Sequence, residues 1–225
     1  MKLEIPEHRA KGLLPRESRV GELFPCAAIE RIPAVSLAEW ASQANIRWLE
    51  KWQRDYDQNG YSACTIFGLA HAILFLLAKM GFTPEELDKI NLDCIGFYHR
   101  FTNRGGVALD AAIARAMTDG FPIVGGGVVK ITEAYDATSL EQIGTALQAG
   151  HTAIFGADVH CQCALTIELS PKASDKTKLS AWLMDVRNSW ARSFGENGFH
   201  KMDLTDIELD RYGCGIFCDA VVEMP

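Results

Sequence analysis

The sequence has no surplus of positive charge. Its 22 Lys and Arg are outnumbered by 29 Asp and Glu, a net charge of -7 at pH 7 with a sequence pI near 5.4. That argues against nucleic acid or an anionic membrane surface as a partner, because phosphate-binding proteins concentrate Lys and Arg. A long uninterrupted apolar run is also missing. The longest, residues 63–80, is broken by Thr65, Gly68 and His71 and carries Lys79 near its end, so it reads as a buried helix rather than a membrane span. The opening residues Met1-Lys2-Leu3-Glu4-Ile5-Pro6-Glu7-His8-Arg9 mix charges of both signs and do not read as a secretory signal, which gives a cytoplasmic expectation. There is no internal repeat and no low-complexity tract. The seven cysteines, at 26, 64, 94, 161, 163, 214 and 218, show no Cys-x-x-Cys pair. Cys161 with Cys163, and Cys214 with Cys218, are weak metal candidates, and small buried thiols are the stronger expectation, so no metal or cofactor is assigned.

What is there suffices for one compact unit: 225 residues, 48% hydrophobic and 23% charged. Residues 1–35 mix charges with Pro6, Pro15, Pro25 and Pro33 and read as an extended surface arm. Residues 36–54, with Trp40, Trp48, Leu49 and Trp52 at helical spacing, predict one or two amphipathic turns with Ser36 as N-cap. A helix apolar on nearly all sides is predicted from Ala63 to a stop at Gly81. Thr83-Pro84-Glu85-Glu86 then has the pattern of a capped helix start, and residues 107–119 predict a third helix.

Beyond Gly120 the texture changes to short apolar runs bounded by Gly, Pro and Ser, at residues 122–124, 128–131, 152–155, 163–167, 181–186 and 215–217. These predict strands. One helix, residues 139–149, interrupts them, and residues 170–178 should be the loop of an antiparallel pair. Gly125-Gly126-Gly127 lacks the context of a phosphate loop and reads as a hairpin or flexible connection.

Two sites far apart carry chemistry. Cys64 opens an apolar helix six residues after Gln58; a helix N-terminus lowers a thiol's pKa, and a nearby amide can hydrogen-bond the oxyanion formed when a carbonyl is attacked. Asn188-Ser189-Trp190 and Gly195-Glu196-Asn197-Gly198 form the second. Gln58 to Cys64 with Thr65-Ile66-Phe67 resembles the nucleophile segment of papain-like cysteine peptidases, and residues 188–199 resemble that family's Asn-Ser-Trp and Gly-Glu-Asn-Gly stretch. Between them, Asn91-Leu92-Asp93-Cys94 and Asn103-Arg104-Gly105-Gly106 resemble two more family segments, so the likeness runs from about residue 55 to 200.

The resemblance implies an α+β fold of two lobes, helical over about residues 36–120 and an antiparallel β-barrel-like lobe over about 121–225, with a cleft between. It implies Cys64 as nucleophile, Gln58 as oxyanion donor and Asn188 as the residue orienting the catalytic histidine. Gly105, Gly106 and Trp190 take substrate-side positions, the glycines admitting substrate backbone and Trp190 shielding the His–Asn bond from water. Cys94 stands where secreted members have half a disulfide whose other half is Tyr61 here, in keeping with a reducing compartment.

The histidine has two registers. His160 fits the family position, and period-two alternation sets it with Gln162, Ala164 and Thr166 on one face and Cys161, Cys163, Leu165 and Ile167 on the other. Pairing His160 with Asn188 centres the hairpin on Ser174. A slide of two residues puts Gln162 in the slot and leaves the thiol without a base; His151 is a further alternative. His71 reads as a satisfied interior histidine, His99 and His200 as surface or edge residues. The implied function is a cysteine peptidase acting on a peptide or protein substrate through an acyl-enzyme, with a protein partner or inhibitor as restraint. The alternatives are a deamidase or acyltransferase, or an inactive relative that binds a peptide or protein.

Overall fold

Cys64–Lys79 forms helix α1, with fifteen of its sixteen residues buried. A helix covered all round needs no polar face, which is why its sequence is apolar at every turn. It ends as predicted: Gly81 takes φ +98°, its N–H donates to Ala78 O, and that of Phe82 reaches back to Leu77 O. These two bonds satisfy carbonyls that the last turn leaves open. The computed structural model describes residues 13–15, 36–40, 56–101, 105–190 and 192–225. The prediction of an arm over residues 1–35 and of helix beyond Trp40 therefore falls largely outside the described residues.

Within them, strand β1 (Leu13–Leu14) runs parallel to β2 (Val107–Ala108), and Leu37–Glu39 is a short 3-10 turn capped by the Ser36 hydroxyl. After α1 come α2 (Pro84–Leu87), α3 (Cys94–Tyr98) and α4 (Leu109–Thr118). Thr83 and Glu86 form the expected reciprocal cap of α2. Residues 107 and 108, expected as helix, are instead strand, and α3 has no counterpart in the sequence reading. Asp93 caps α3 by accepting from Gly96 N at 2.8 Å.

The second half is β3 (Phe121–Pro122), β4 (Val128–Asp136), α5 (Leu140–Gln148), β5 (Thr152–Ala157), β6 (His160–Leu169), β7 (Trp182–Arg187), β8 (Phe199–Asp203), α6 (Leu209–Tyr212) and β9 (Cys214–Glu223). Seven of these strands form one antiparallel sheet in the order β3-β4-β9-β5-β6-β7-β8. The three consecutive glycines turn the β3–β4 hairpin. β3 stops at Pro122, short of the predicted residues 122–124.

Both faces of the sheet are covered. One side packs on α1 and the helical half, with Cys161, Cys163, Leu165 and Phe217 in that core. The other packs on α5, Trp40 and Trp182 and includes Ala164, Ile167 and Met184. The alternation expected along β6 therefore fails at its far end. A register shift between Ala164 and Thr166 sends Leu165 to one side and Ile167 to the other. The ladder pairs Cys163 with Arg187, so the hairpin centres one residue beyond Ser174.

No helix among the described residues is long and apolar enough to cross a membrane.

Candidate active site

Gln58 is fully buried in a turn pinned to the other half of the chain, not an exposed loop amide. Its backbone N–H donates to Ser189 O at 3.0 Å, and Asp57 bridges to Trp190. The side chain is held at both ends. Ser189 Oγ donates to Gln58 Oε1 at 2.5 Å, and Gln58 Nε2 donates to Tyr61 O at 3.0 Å. An NH2 group carries two hydrogens, so the bond to Tyr61 uses one of them.

Six residues on, Cys64 is the first residue of α1. Ala63 precedes it as N-cap and offers no side-chain acceptor to the helix N–H groups. Those groups and the helix dipole favour a thiolate there. Cys64 itself is fully covered. The adjoining Thr65 hydroxyl donates to Val107 O at 2.7 Å, which brings the end of the Gly105–Gly106 segment against the first turn of α1. Gly106 has φ +147° and is buried, Gly105 is exposed, and Asn103 and Arg104 lie outside the described residues.

His160 opens β6 directly after a two-residue hairpin turn, Asp158-Val159, closed by the pair Ala157 and His160. Both turn residues have positive φ, +50° and +58°. That conformation suits a tight β-hairpin but is strained for a β-branched residue such as Val159. Glu208 clamps the turn: its Oε1 accepts from Asp158 N at 2.7 Å and its own N–H donates to Gly156 O at 3.0 Å.

The imidazole is fully buried. Its Nε2 lies 3.1 Å from Asn188 Oδ1, and the Trp190 indole stacks on it with centroids 4.1 Å apart and planes at 24°. One turn into α1, a Cβ at Gly68 would come within 3.2 Å of the sulfur of Cys161, the residue after His160. The start of α1 and the start of β6 are thus in close contact.

Asn188 follows β7 and is fixed on three sides. Its N–H donates to Gly198 O, its Oδ1 faces His160, and its Nδ2 donates to Gln162 Oε1 at 3.3 Å. Both residues that competed for the histidine position therefore touch Asn188. One more step of the β6–β7 ladder sets Gln162 opposite Asn188, and His160 reaches it on the diagonal. The following loop turns through Gly195 at φ +59°, where a Cβ would collide with Phe199 O. Arg187, fully buried, donates to Asn197 O at 2.9 Å and lies over the Phe199 ring.

The other histidines lie elsewhere. His151 O accepts from Lys79 Nζ at the far end of α1, about 22 Å along the helix from Cys64 at 1.5 Å per residue. That distance removes it as a base. His71, two turns into α1, is less satisfied than expected: its Nε2 is buried with no hydrogen-bond partner among the described residues. Burial, then the charge of Arg187, pushes its pKa well down. His200 is no ordinary edge residue. Both ring nitrogens are buried without a hydrogen-bond partner among the described residues, its ring meets Phe194 edge-on, and burial lowers its pKa to about 4. No disulfide joins the described cysteines; burial raises the pKa of Cys94, Cys161 and Cys163, and that of Cys218 to about 12.

No protein-family model matches the sequence, and no curated protein matches it. Solved structures do match in fold. The clostridial cysteine protease Cwp84 after propeptide cleavage aligns with TM-score 0.63 at 13% identity over 81% of this chain. This chain spans only 58% of that one. Xylellain, a cysteine protease from Xylella fastidiosa, aligns with TM-score 0.55 at 13% identity over 95% of this chain and 98% of its own. Digestive procathepsin L 3 from the larval midgut of Tenebrio molitor gives TM-score 0.57 at 15% identity, covering 82% and 72%. At such identities the likeness is one of architecture. The helical half against the antiparallel sheet, with Cys64 and His160 where the two meet, is the papain-like fold.

Proposed function

We propose that the chain is a thiol hydrolase cleaving peptide bonds in a peptide or protein substrate. The observation carrying this reading is the buried Asn188 Oδ1 to His160 Nε2 bond under the Trp190 ring. With Nε2 committed to Asn188, Nδ1 is the nitrogen that exchanges a proton with the Cys64 thiol. The thiolate attacks the substrate carbonyl; the Cys64 N–H and the Gln58 amide receive the oxyanion; the imidazolium protonates the leaving amine; water then releases the acyl group. Gly105 and Gly106 hold substrate backbone, and the lack of a disulfide among the described cysteines supports a reducing compartment.

The covered Cys64 thiol favours a second reading, a papain-fold protein that binds a peptide or protein without turnover. Labelling separates the two. Under the hydrolase reading a thiol-directed epoxide modifies Cys64 far faster than any other cysteine, and Cys64→Ala abolishes cleavage of a casein or peptide-library substrate. His160→Ala lowers it by about 10²- to 10⁴-fold, the range for losing a general acid–base. Uniform labelling of all thiols with no cleavage leaves the binding protein.

A further inference from the structure

Gln162 belongs to neither the nucleophile nor the base, yet it is 1% exposed and spends both ends of its amide on named partners. Its Oε1 accepts from Asn188 Nδ2 at 3.3 Å, and its Nε2 donates to Met202 Sδ at 3.8 Å. A thioether sulfur has lone pairs and no hydrogen, so it only accepts. Against it, the Gln162 amide must point its NH2 at Met202 and its oxygen at Asn188. The Asn188 amide then turns its NH2 to Gln162 and its oxygen to His160. An oxygen facing Nε2 requires the hydrogen on Nε2 and leaves the lone pair on Nδ1.

We propose that Gln162 is a positioning residue that, with Met202 behind it, fixes the orientation of Asn188 and through it the His160 tautomer that can take the Cys64 proton. The inference rests on the reading of Cys64, His160 and Asn188 as a catalytic set. Without Gln162, an asparagine amide can turn either end toward the imidazole, and the NH2 end cannot accept from Nε2.

The test measures Cys64 alkylation by iodoacetamide and cleavage of a fluorogenic peptide from about pH 4 to about pH 9, where the thiolate–imidazolium pair forms and decays. Gln162→Leu raises the alkylation midpoint by about one pH unit and lowers kcat about tenfold at constant KM, the worth of one hydrogen bond. Gln162→Glu, which keeps an acceptor for Asn188, recovers the wild-type midpoint to within about 0.3 unit. Profiles of Gln162→Leu and wild type that superimpose overturn the proposal. So does a Gln162→Glu profile displaced as far as that of Gln162→Leu. If Gln162→Leu does not fold, Gln162→Met, which also offers Asn188 no oxygen acceptor, takes its place with the same shift expected and the same overturning result. Hydrogen exchange of the Asn188 side-chain amide, followed by NMR in Cys64→Ala protein, needs no turnover. It speeds up at least tenfold in Gln162→Leu, by the same hydrogen-bond worth, and an equal rate overturns the proposal even if the hydrolase reading has failed.

Discussion

Ser189 Oγ donates to Gln58 Oε1 at 2.5 Å between residues 131 positions apart, and both side chains are fully buried. The amide is therefore aimed by a hydroxyl from the neighbour of Asn188, so the residues proposed as oxyanion donor and as orienter of the base are tied to one strand end.

Ser189→Ala removes the hydroxyl that donates to Gln58 Oε1 in a fully buried site. We expect a stability loss of about 1–3 kcal/mol in urea melts. Gln58→Ala lowers kcat by about 10²- to 10³-fold with the Cys64 labelling rate largely kept, since an oxyanion donor acts in the transition state. Equal loss of labelling and turnover in Gln58→Ala would contradict the assignment.

Trp190 separates packing from hydrogen bonding. Its Nε1 is buried with no hydrogen-bond partner among the described residues, so Trp190→Phe gives up no hydrogen bond to them and keeps a ring on His160. That variant should fold and retain activity within an order of magnitude, whereas Trp190→Ala loses about 3–5 kcal/mol in denaturant titration.

His200 sets a pH dependence. Its folded pKa of about 4 lies below the unfolded value near 6.5, so the unfolded chain binds the extra proton first. Stability is fully present above that unfolded value and falls as pH drops from about 6.5 to about 4, by at most about 1.4 kcal/mol per pH unit for one proton. His71 is shifted the same way and adds to the slope. His200→Phe, which loses no hydrogen bond, should flatten this stretch of a Tm-against-pH curve.

Gly144 in α5 lies so close to Trp40 that a Cβ would overlap the indole. Trp40 in turn packs edge-on against Trp182, with centroids 5.3 Å apart. Gly144→Ala improves helix propensity by up to about 1 kcal/mol but displaces Trp40, with overpacking costing about 1–3 kcal/mol. A net loss of stability with a shift in tryptophan emission is expected; a more stable variant would show that Trp40 moves aside freely.

Local signals were legible where one residue type does one job. The Thr83–Glu86 cap, Gly81 after α1, and Ser139 with Gly150 around α5 each mark a boundary that the structure repeats. Strand β8 escaped notice because Phe199-His200-Lys201-Met202-Asp203 is an edge strand, half polar and without β-branched residues. The five-residue α3 is too short to show periodicity. The His160 and Gln162 registers could not be separated from sequence because both lie on the same face of β6, and the structure shows why: each bonds a different end of one amide. The role of Met202 needed the fold, since β8 brings it to Gln162 from 40 residues away.

The turn before His160 has a consequence for how this half of the molecule tolerates change. A ring mounted on the first rung of a hairpin has no slack behind it. A change of length at Asp158 or Val159 that slips the β5–β6 pairing by one residue would turn the imidazole to the opposite side of the sheet, since side chains alternate along a strand. The length of that bend is as constrained as the chemistry it presents.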